Sequence, residues 1–490
     1  MTLLSHISHN KKYYLLFITA FLILFTKLWH GYFEGDESCY ATLSREVLRT
    51  NDWLVLHHPY YAEWSNFYEH PPLNMLMMAV SFKIFGISDH ASKMVSALLA
   101  FGTILLTFLA GKKLKDAGTG YIAAFILMTT HFYMERARAV FLDVPFGFFL
   151  LLAFYFLVLA VKDKRTLFAF LSGLAAAPAF LTKGIPAFAI VAVVFIGFFA
   201  FIKSFRLKFN ASLLYLLGLL CILLPWTWAQ LAVDEGRFFD WYLYKQVAQS
   251  MAGRGYVPQS ARENVTSYFY YIEKLFTQVM VPWFLFAILG MWTLVRSTIK
   301  TRQFERVLVL LAAVFLLLGF SLVKFRQASY IIPALPYFAL LAADFFTNVK
   351  WCEIFQRWAH RFVIFLFVLL LALGLLTPLP FASRTNNALE LFAPIKERFT
   401  SPGDTVLVMT DEVYAMRHMI SWYWDRPFKI CSDPSTFQQD WQTGEHAVAV
   451  ARYNNKVIAD LQIQPLAISG NYAIFLQDSL RQHLPLFITK

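Results

Sequence analysis

The chain has 490 residues, 58% of them apolar and only 15% charged, with 51 phenylalanines. A soluble domain is roughly 45–50% apolar, so this composition excludes a soluble protein and reads as one that crosses a membrane many times. The net charge of +12 follows from cytoplasmic loops that collect Lys and Arg, and does not call for a nucleic-acid partner.

Apolar runs long enough to span, about 17–22 residues each, lie near 12–30, 91–110, 118–134, 146–161, 166–182, 185–202, 211–231, 278–296, 307–323, 330–347 and 362–380. The first has no small-residue cleavage site after it and reads as an anchor that stays. Lys11/Lys12, Lys112/Lys113/Lys115, Lys162/Lys164/Arg165, Lys203/Arg206/Lys208, Arg296/Lys300/Arg302/Arg306 and Lys350/Arg357/Arg361 fall in alternate loops. The positive-inside rule makes that side cytoplasmic. Residues 71–87, PPLNMLMMAVSFKIFGI, tempt a further span, but a crossing there would invert every later loop. They read instead as a helix opened by Pro71/Pro72, lying in the outer interface with Lys83 snorkelling. The expected topology is a membrane all-α bundle of about eleven spans with its N-terminus inside.

Residues 1–380 form the expected transmembrane domain, with outer loops at 31–90 and 232–277. After Pro378 and Pro380, the runs TVLVM, HAVAVARY and YAIFLQ alternate with helix-like stretches, and residues 381–490 read as a small soluble α/β domain on the outer side. Cys39, Cys221, Cys352 and Cys431 have no metal or redox spacing. Cys39 and Cys431 are placed in one compartment, with nothing in their spacing that calls for a disulfide.

The stretch from Gly31 to Pro72 is the most unusual. It carries Glu34, Asp36, Glu37, Glu46, Asp52, Glu63 and Glu69. On the same outer side, where cations should be rare, stand Arg136 and Arg138 near Asp143, Lys183 in FLTKGIP, Lys324 and Arg326 before SYIIP, and Arg254 in MAGRGYVP. Each alone reads as well as a snorkelling side chain. Together, cations and carboxylates on one face at the lipid boundary suit an anionic lipid substrate and a proton acceptor. A transporter or flippase for a lipid-linked sugar or anionic solute is the alternative, although paired halves with broken helices are not evident.

These segments resemble the lipid-phosphate-sugar-dependent glycosyltransferases of the GT-C fold, in the branch with aminoarabinose transferases of lipid A and protein O-mannosyltransferases. FEGDESCYATLSREVLRTNDW is similar to that family's first outer loop, FYEHPPL to the turn before its interfacial helix, FLDVPF to its second acidic loop and FLTKG to its Lys-Gly turn. LLPWTWAQ, FFDWYLY, SYFYY and VPW resemble its large loop, and SLVKFRQASYIIPALP its late Lys-to-Tyr segment. The resemblance implies a GT-C-type bundle. It also implies Asp36 as catalytic acid with Glu37 beside it, and Asp143 and Tyr40 in positioning roles toward the acceptor. His70, Lys183, Arg254, Lys324, Arg326 and Tyr330 are implied near the donor phosphate, and Asp36 with Glu69 as ligands of a divalent cation.

Two departures stand out. His70 occupies the place of a Lys in aminoarabinose transferases, so its charge is expected to vary near neutral pH. The segment KQVAQSMAGRG lacks their downstream His, which leaves metal binding open. The implied reaction passes one sugar, with inversion, from a polyprenyl monophosphate to a lipid A, protein or glycan acceptor at the outer face of a bacterial inner membrane. Neither a glycine-rich phosphate loop nor a DxD pair is found, so no nucleotide cofactor is expected.

Overall fold

The computed structural model describes residues 3–28, 33, 35–60, 65–252, 269–324, 326–374, 404–410, 413–431, 433–452, 467–469 and 472–477. It divides into two compact units. One comprises Met1–Leu28, Tyr68–Met77 and Lys93–Phe381; the other comprises Trp29–Phe67, Met78–Ser92 and Ala382–Lys490.

The first unit is helical. Its elements in chain order are α1 (Leu3–Phe25), α4 (Asp89–Leu114), α5 (Ala117–Thr129), α6 (His131–Ala137), α7 (Asp143–Asp163), α8 (Leu167–Lys183), α9 (Phe188–Phe201), α10 (Phe205–Asp234), α11 (Arg237–Trp241), α12 (Gln249–Ala252), α13 (Tyr270–Lys274), α14 (Trp283–Thr301), α15 (Val307–Ser321), α16 (Leu335–Asn348) and α17 (Cys352–Gly374). Two others, α2 (Asp36–Thr50) and α3 (Leu73–Phe85), come from the first loop. Among the described residues, six helical segments are long and apolar enough to cross a membrane: Asp89–Leu114, Asp143–Asp163, Phe205–Asp234, Phe304–Ser321, Ala328–Asn348 and Cys352–Leu373. Leu73–Phe85, Ala117–Thr129, Leu167–Lys183 and Ile185–Phe201 are apolar but shorter. At 13 residues, α3 is about 20 Å long, short of the roughly 30 Å hydrocarbon layer.

Helices in lipid gain little from the hydrophobic effect and depend on close contact. The SGLAAAPA run of α8 provides it: a Cβ on Gly173 would collide with the Tyr215 carbonyl of α10, and one on Gly218 with the Phe170 carbonyl of α8. The charged loop residues gather at one end of this unit. Asp344 accepts from Arg306, Lys115 (3.4 Å), Thr293 (3.2 Å) and Asn348 (2.8 Å). Lys113 pairs with Asp163 (2.5 Å) and Lys162 with Glu305 (3.6 Å). Since α7 runs from Asp143 to Asp163, Asp143 lies about 30 Å from this belt along the helix.

Arg138 corrects one expectation. It was read as an outward cation available to an anionic lipid, but its guanidinium donates to the carbonyls of Ile23 and Leu24 (2.9 Å), Thr26 (2.9 Å) and Lys27 (3.2 Å). Ile23 and Leu24 are in the last turn of α1, whose carbonyls have no partner within their own helix, and Thr26 and Lys27 follow its end. Arg138 is a cap.

The second unit holds a five-stranded sheet built from β1 (Val406–Met409), β2 (Phe428–Cys431), β3 (Val448–Arg452), β4 (Ala467–Ser469) and β5 (Tyr472–Leu476), in the order β2-β1-β3-β5-β4. The β1 strand is parallel to β2 and β3, whereas β5 is antiparallel to β3 and β4. Alternation sorts the side chains. Val406, Val408, Val448, Val450, Ile474 and Leu476 meet Met416, Met419, Ile420 and Trp424 on one face. Leu407, Met409, Ala449, Ala451, Ala473 and Phe475 meet Phe437 and Trp441 on the other. The covering helices are α18 (Val413–Met419), continued by a π-helical turn Ile420–Trp424, and α19 (Pro434–Gln442), which Asp433 caps by accepting from Thr436 N at 2.8 Å. All four cysteines are free.

Candidate functional site

In the first unit the site is built where an antiparallel hairpin opens. The αL residue Lys164 (φ 54) ends α7, and the chain returns as α8, so the first residue of α7 meets the last residue of α8. These are Asp143 and Lys183, and they form an ion pair at 3% and 8% exposure. Lys183 Nζ also sits 4.0 Å from the Tyr330 ring centroid and 5.7 Å from that of Phe320, so two rings cover the ammonium. The backbone after Lys183 is fixed by Tyr242, whose hydroxyl donates to Lys183 O (3.0 Å) and accepts from Ile185 N (3.1 Å). Gly184 makes this possible: its φ is +72, and a Cβ there would collide with the Tyr242 hydroxyl. That is the physical reason for the Lys-Gly turn.

His70, half-buried with its Nδ1 shut off from water, belongs to the same unit. Burial first, and the Lys183 charge second, push its pKa down to about 3. That depression favours the neutral ring and runs against the expectation of a charge that varies near neutral pH. Lys324 is exposed. Arg326, 6% exposed, donates to Val323 O (2.8 Å) and Ser321 O (2.7 Å), the end of α15. Part of the guanidinium expected at a phosphate thus caps a helix. Arg254 lies outside the described residues. Glu69 is half-buried in the same unit.

The second unit holds the other candidates on α2. Asp36 is the first residue of that helix, after Gly35 with φ 44, and is half-buried. A carboxylate there is favoured by the backbone N–H groups of the first turn. Glu37 is 3% exposed and Tyr40 7%, with the Tyr40 ring edge-on to Phe67 at 6.4 Å. Of the other acids in this stretch, Glu46 pairs with Arg45 (3.4 Å) and Arg49 (2.9 Å). Asp52 bonds His57 (2.8 Å) and the amides of Leu54 and Val55. Glu34 and Glu63 lie outside the described residues. Glu46 and Asp52 are thus engaged in bonds that fix the loop.

No group of three His, Cys, Asp or Glu side chains that could hold a metal exists among the described residues. Of the two carboxylates implied for a divalent cation, Asp36 belongs to the second unit and Glu69 to the first.

Sequence reasoning missed four residues. Tyr242 lay inside the aromatic segment FFDWYLY without a signal to separate it from interfacial anchors. Asp425, Trp422 and Tyr423 belong to the C-terminal region and gave none. Asp425 accepts from Arg45 (2.8 Å), Arg49 (2.7 Å) and the Tyr60 hydroxyl (2.7 Å). Burial pushes its carboxyl up, but those partners outweigh it and hold the pKa at about 2.

The second unit also buries His58 and His418, whose Nε2 and Nδ1 are 3.3 Å apart. Burial, then the Arg417 and Arg45 charges, push His58 down to about 3, and burial with His58 and Arg417 lowers His418 further. A histidine with a depressed folded pKa gives full stability above its unfolded value, about 6.5. As pH falls below that value, the unfolded chain takes up protons that the folded chain refuses. The loss is about 1.4 kcal/mol per pH unit per imidazole, from about pH 6.5 toward pH 3. Melting in detergent should be flat from pH 8 to about 6.5 and fall steeply by pH 5. An unchanged melting temperature at pH 5 would contradict neutral burial of these rings.

Comparison with known proteins agrees with this architecture. Residues 69–228 match the family described as dolichyl-phosphate-mannose-protein mannosyltransferase. An undecaprenyl phosphate-alpha-4-amino-4-deoxy-L-arabinose arabinosyl transferase of Pseudomonas savastanoi pv. phaseolicola is 26% identical over 337 residues, 67% of this chain and 60% of its own length. The chain thus spans less than two thirds of that relative. ArnT from Cupriavidus metallidurans in the apo state superposes with a TM-score of 0.71 at 16% identity, over 95% of this chain and 98% of that one. Its form bound to undecaprenyl phosphate gives 0.69 at the same identity and coverage. The chain is thus similar in sequence to these arabinosyl transferases and, over residues 69–228, to the mannosyltransferase family, and it shares its fold with ArnT.

Proposed function

We propose that this protein is an inverting glycosyltransferase that moves one sugar from a polyprenyl monophosphate to a lipid A, protein or glycan acceptor. The observation that carries this reading is the buried Asp143–Lys183 pair under Tyr330 and Phe320, in a fold shared with an ArnT that binds undecaprenyl phosphate. A lone buried ammonium would be costly. Asp143 offsets that cost by pairing with the ammonium.

In this mechanism the leaving group is the lipid phosphate, and negative charge grows on it as the glycosidic bond breaks. Lys183, with His70, Lys324 and Arg326, stabilises that charge; Arg254 is assigned to the same task. Asp143 orients Lys183. Asp36 accepts the proton of the acceptor hydroxyl, whose oxygen displaces the phosphate and inverts the anomeric centre. Glu37 and Tyr40 hold α2 beside it. The prenyl tail lies among apolar helices.

The topology belongs to the same proposal: about eleven spans in a bacterial inner membrane, with the N-terminus cytoplasmic and the site and residues 381–490 periplasmic. The long helices carry six spans, and α1, α5 continued by α6, α8, α9 and α14 supply the remainder. Mass spectrometry of the lipid pool tests the reaction class. Cells lacking the protein should accumulate the polyprenyl-phosphate sugar and lose one glycosylated product. A donor pool altered only in its sidedness, with every product intact, would favour a flippase.

A further inference from the structure

The segment Ser421–Tyr423 grips α2 on both sides of Asp36, entirely within the second unit. Ahead of Asp36, the Tyr423 hydroxyl accepts from Phe33 N at 2.6 Å. Beyond it, Arg45 donates to Ser421 O (2.9 Å) and Trp422 O (3.2 Å) and stacks over the Trp422 ring at 5.5 Å. The segment is itself seated by one carboxylate. Asp89 accepts from Trp422 Nε1 through Oδ1 (2.7 Å) and from the Tyr423 hydroxyl through Oδ2 (2.9 Å). Phe82 stacks on Trp422 at 5.8 Å.

Each hydrogen of this chain has one job. The Tyr423 hydroxyl gives its proton to Asp89, so its lone pair is turned toward Phe33 N–H. Phe33 lies three positions ahead of Asp36, and Gly35 between them has a φ of 44, a conformation open to glycine because it has no Cβ. The Gly35 carbonyl accepts from Ser38 Oγ (2.9 Å) and Cys39 N (3.1 Å), and the bond to Tyr423 fixes the backbone on the other side of this glycine, on the approach to the helix that Asp36 opens. Phe33 is fully buried, and its amide is the anchor point.

We propose that Tyr423, seated by Asp89, is a positioning residue for Asp36, so that the C-terminal region sets the geometry of the acid. This rests on the reading of Asp36 as the catalytic acid. It acts through the backbone, with no contact to substrate.

The test is Tyr423→Phe in the full chain, assayed in membranes with donor titration. Removing one hydroxyl keeps the ring packing. The expected result is a fall in kcat of about tenfold, with KM for the donor within about twofold and the melting temperature nearly unchanged; effects of this size follow small misplacements of reacting groups. In an Asp36→Asn background, Tyr423→Phe should lower the residual rate no further, which a general structural lesion would do. Wild-type kcat in Tyr423→Phe, or the same fractional loss in both backgrounds, overturns the proposal. Should Tyr423→Phe fail to accumulate, Asp89→Asn replaces it, since it unseats the hydroxyl and spares the Tyr423 ring. An unaltered kcat there overturns the proposal equally. A fully active Asp36→Asn would instead refute the catalytic reading on which the proposal stands, and that outcome is distinct from an inactive Asp36→Asn beside a normal Tyr423→Phe.

Discussion

Asp36→Asn should remove nearly all sugar transfer, a loss of about two to four orders of magnitude, the usual contribution of a positioned general base. The amide keeps the size and the hydrogen-bonding reach of the carboxylate but does not take a proton. Asp36 heads α2 and is half-buried, so the neutral side chain costs little stability there, and expression and melting should stay close to wild type. Glu37→Gln is the internal control. Glu37 is 3% exposed, so its replacement should act more on stability than on the chemical step. Membranes carrying each variant at matched levels, assayed for transfer, separate the two. Near-normal turnover of Asp36→Asn would end its assignment.

The second large effect belongs to the buried pair. Lys183→Met leaves the Asp143 carboxylate buried without its counter-charge, and Asp143→Leu leaves the ammonium. Breaking such a pair from one side costs about 3–5 kcal/mol, whereas replacing both partners with apolar groups is often neutral. Each single variant should therefore unfold at markedly lower denaturant, and the double variant should regain most of that loss. Activity should not return with it, because the double variant has no cation for the leaving phosphate. Unfolding titrations in mixed micelles read the first outcome and transfer assays the second. Single variants as stable as wild type would show that the pair is solvated, and an active double variant would remove Lys183 from the chemistry.

Much of the fold was legible because apolar length is written directly in the sequence. The runs near 91–110, 146–161 and 211–231 lie within α4, α7 and α10, the run near 307–323 contains α15, and the alternating TVLVM, HAVAVARY and YAIFLQ hold β1, β3 and β5. The functional end was legible in part. FLDVP and FLTKG are at the near ends of successive runs, so an antiparallel hairpin brings their Asp and Lys together, yet they were assigned separate roles because pairing depends on side-chain geometry. Arg138 and Arg326 were harder. Whether an arginine meets a lipid phosphate or a helix end depends on which carbonyls fold beside it, here those of α1 and α15. His70 was judged by its residue type, but burial decides its charge. The grip of Ser421–Tyr423 on α2 joins positions nearly four hundred residues apart, and no local pattern announces it.

Reconstitution tests the central claim most directly. The purified full chain would be placed in vesicles made from bacterial inner-membrane lipids, with a polyprenyl monophosphate donor labelled in its sugar, and followed by mass spectrometry. The expected result is stoichiometric release of free polyprenyl phosphate as an acceptor gains one sugar of inverted configuration, with Asp36→Asn vesicles inert. A donor that stays covalently intact while the label crosses the bilayer would contradict glycosyl transfer and make this chain a carrier of lipid-linked sugar.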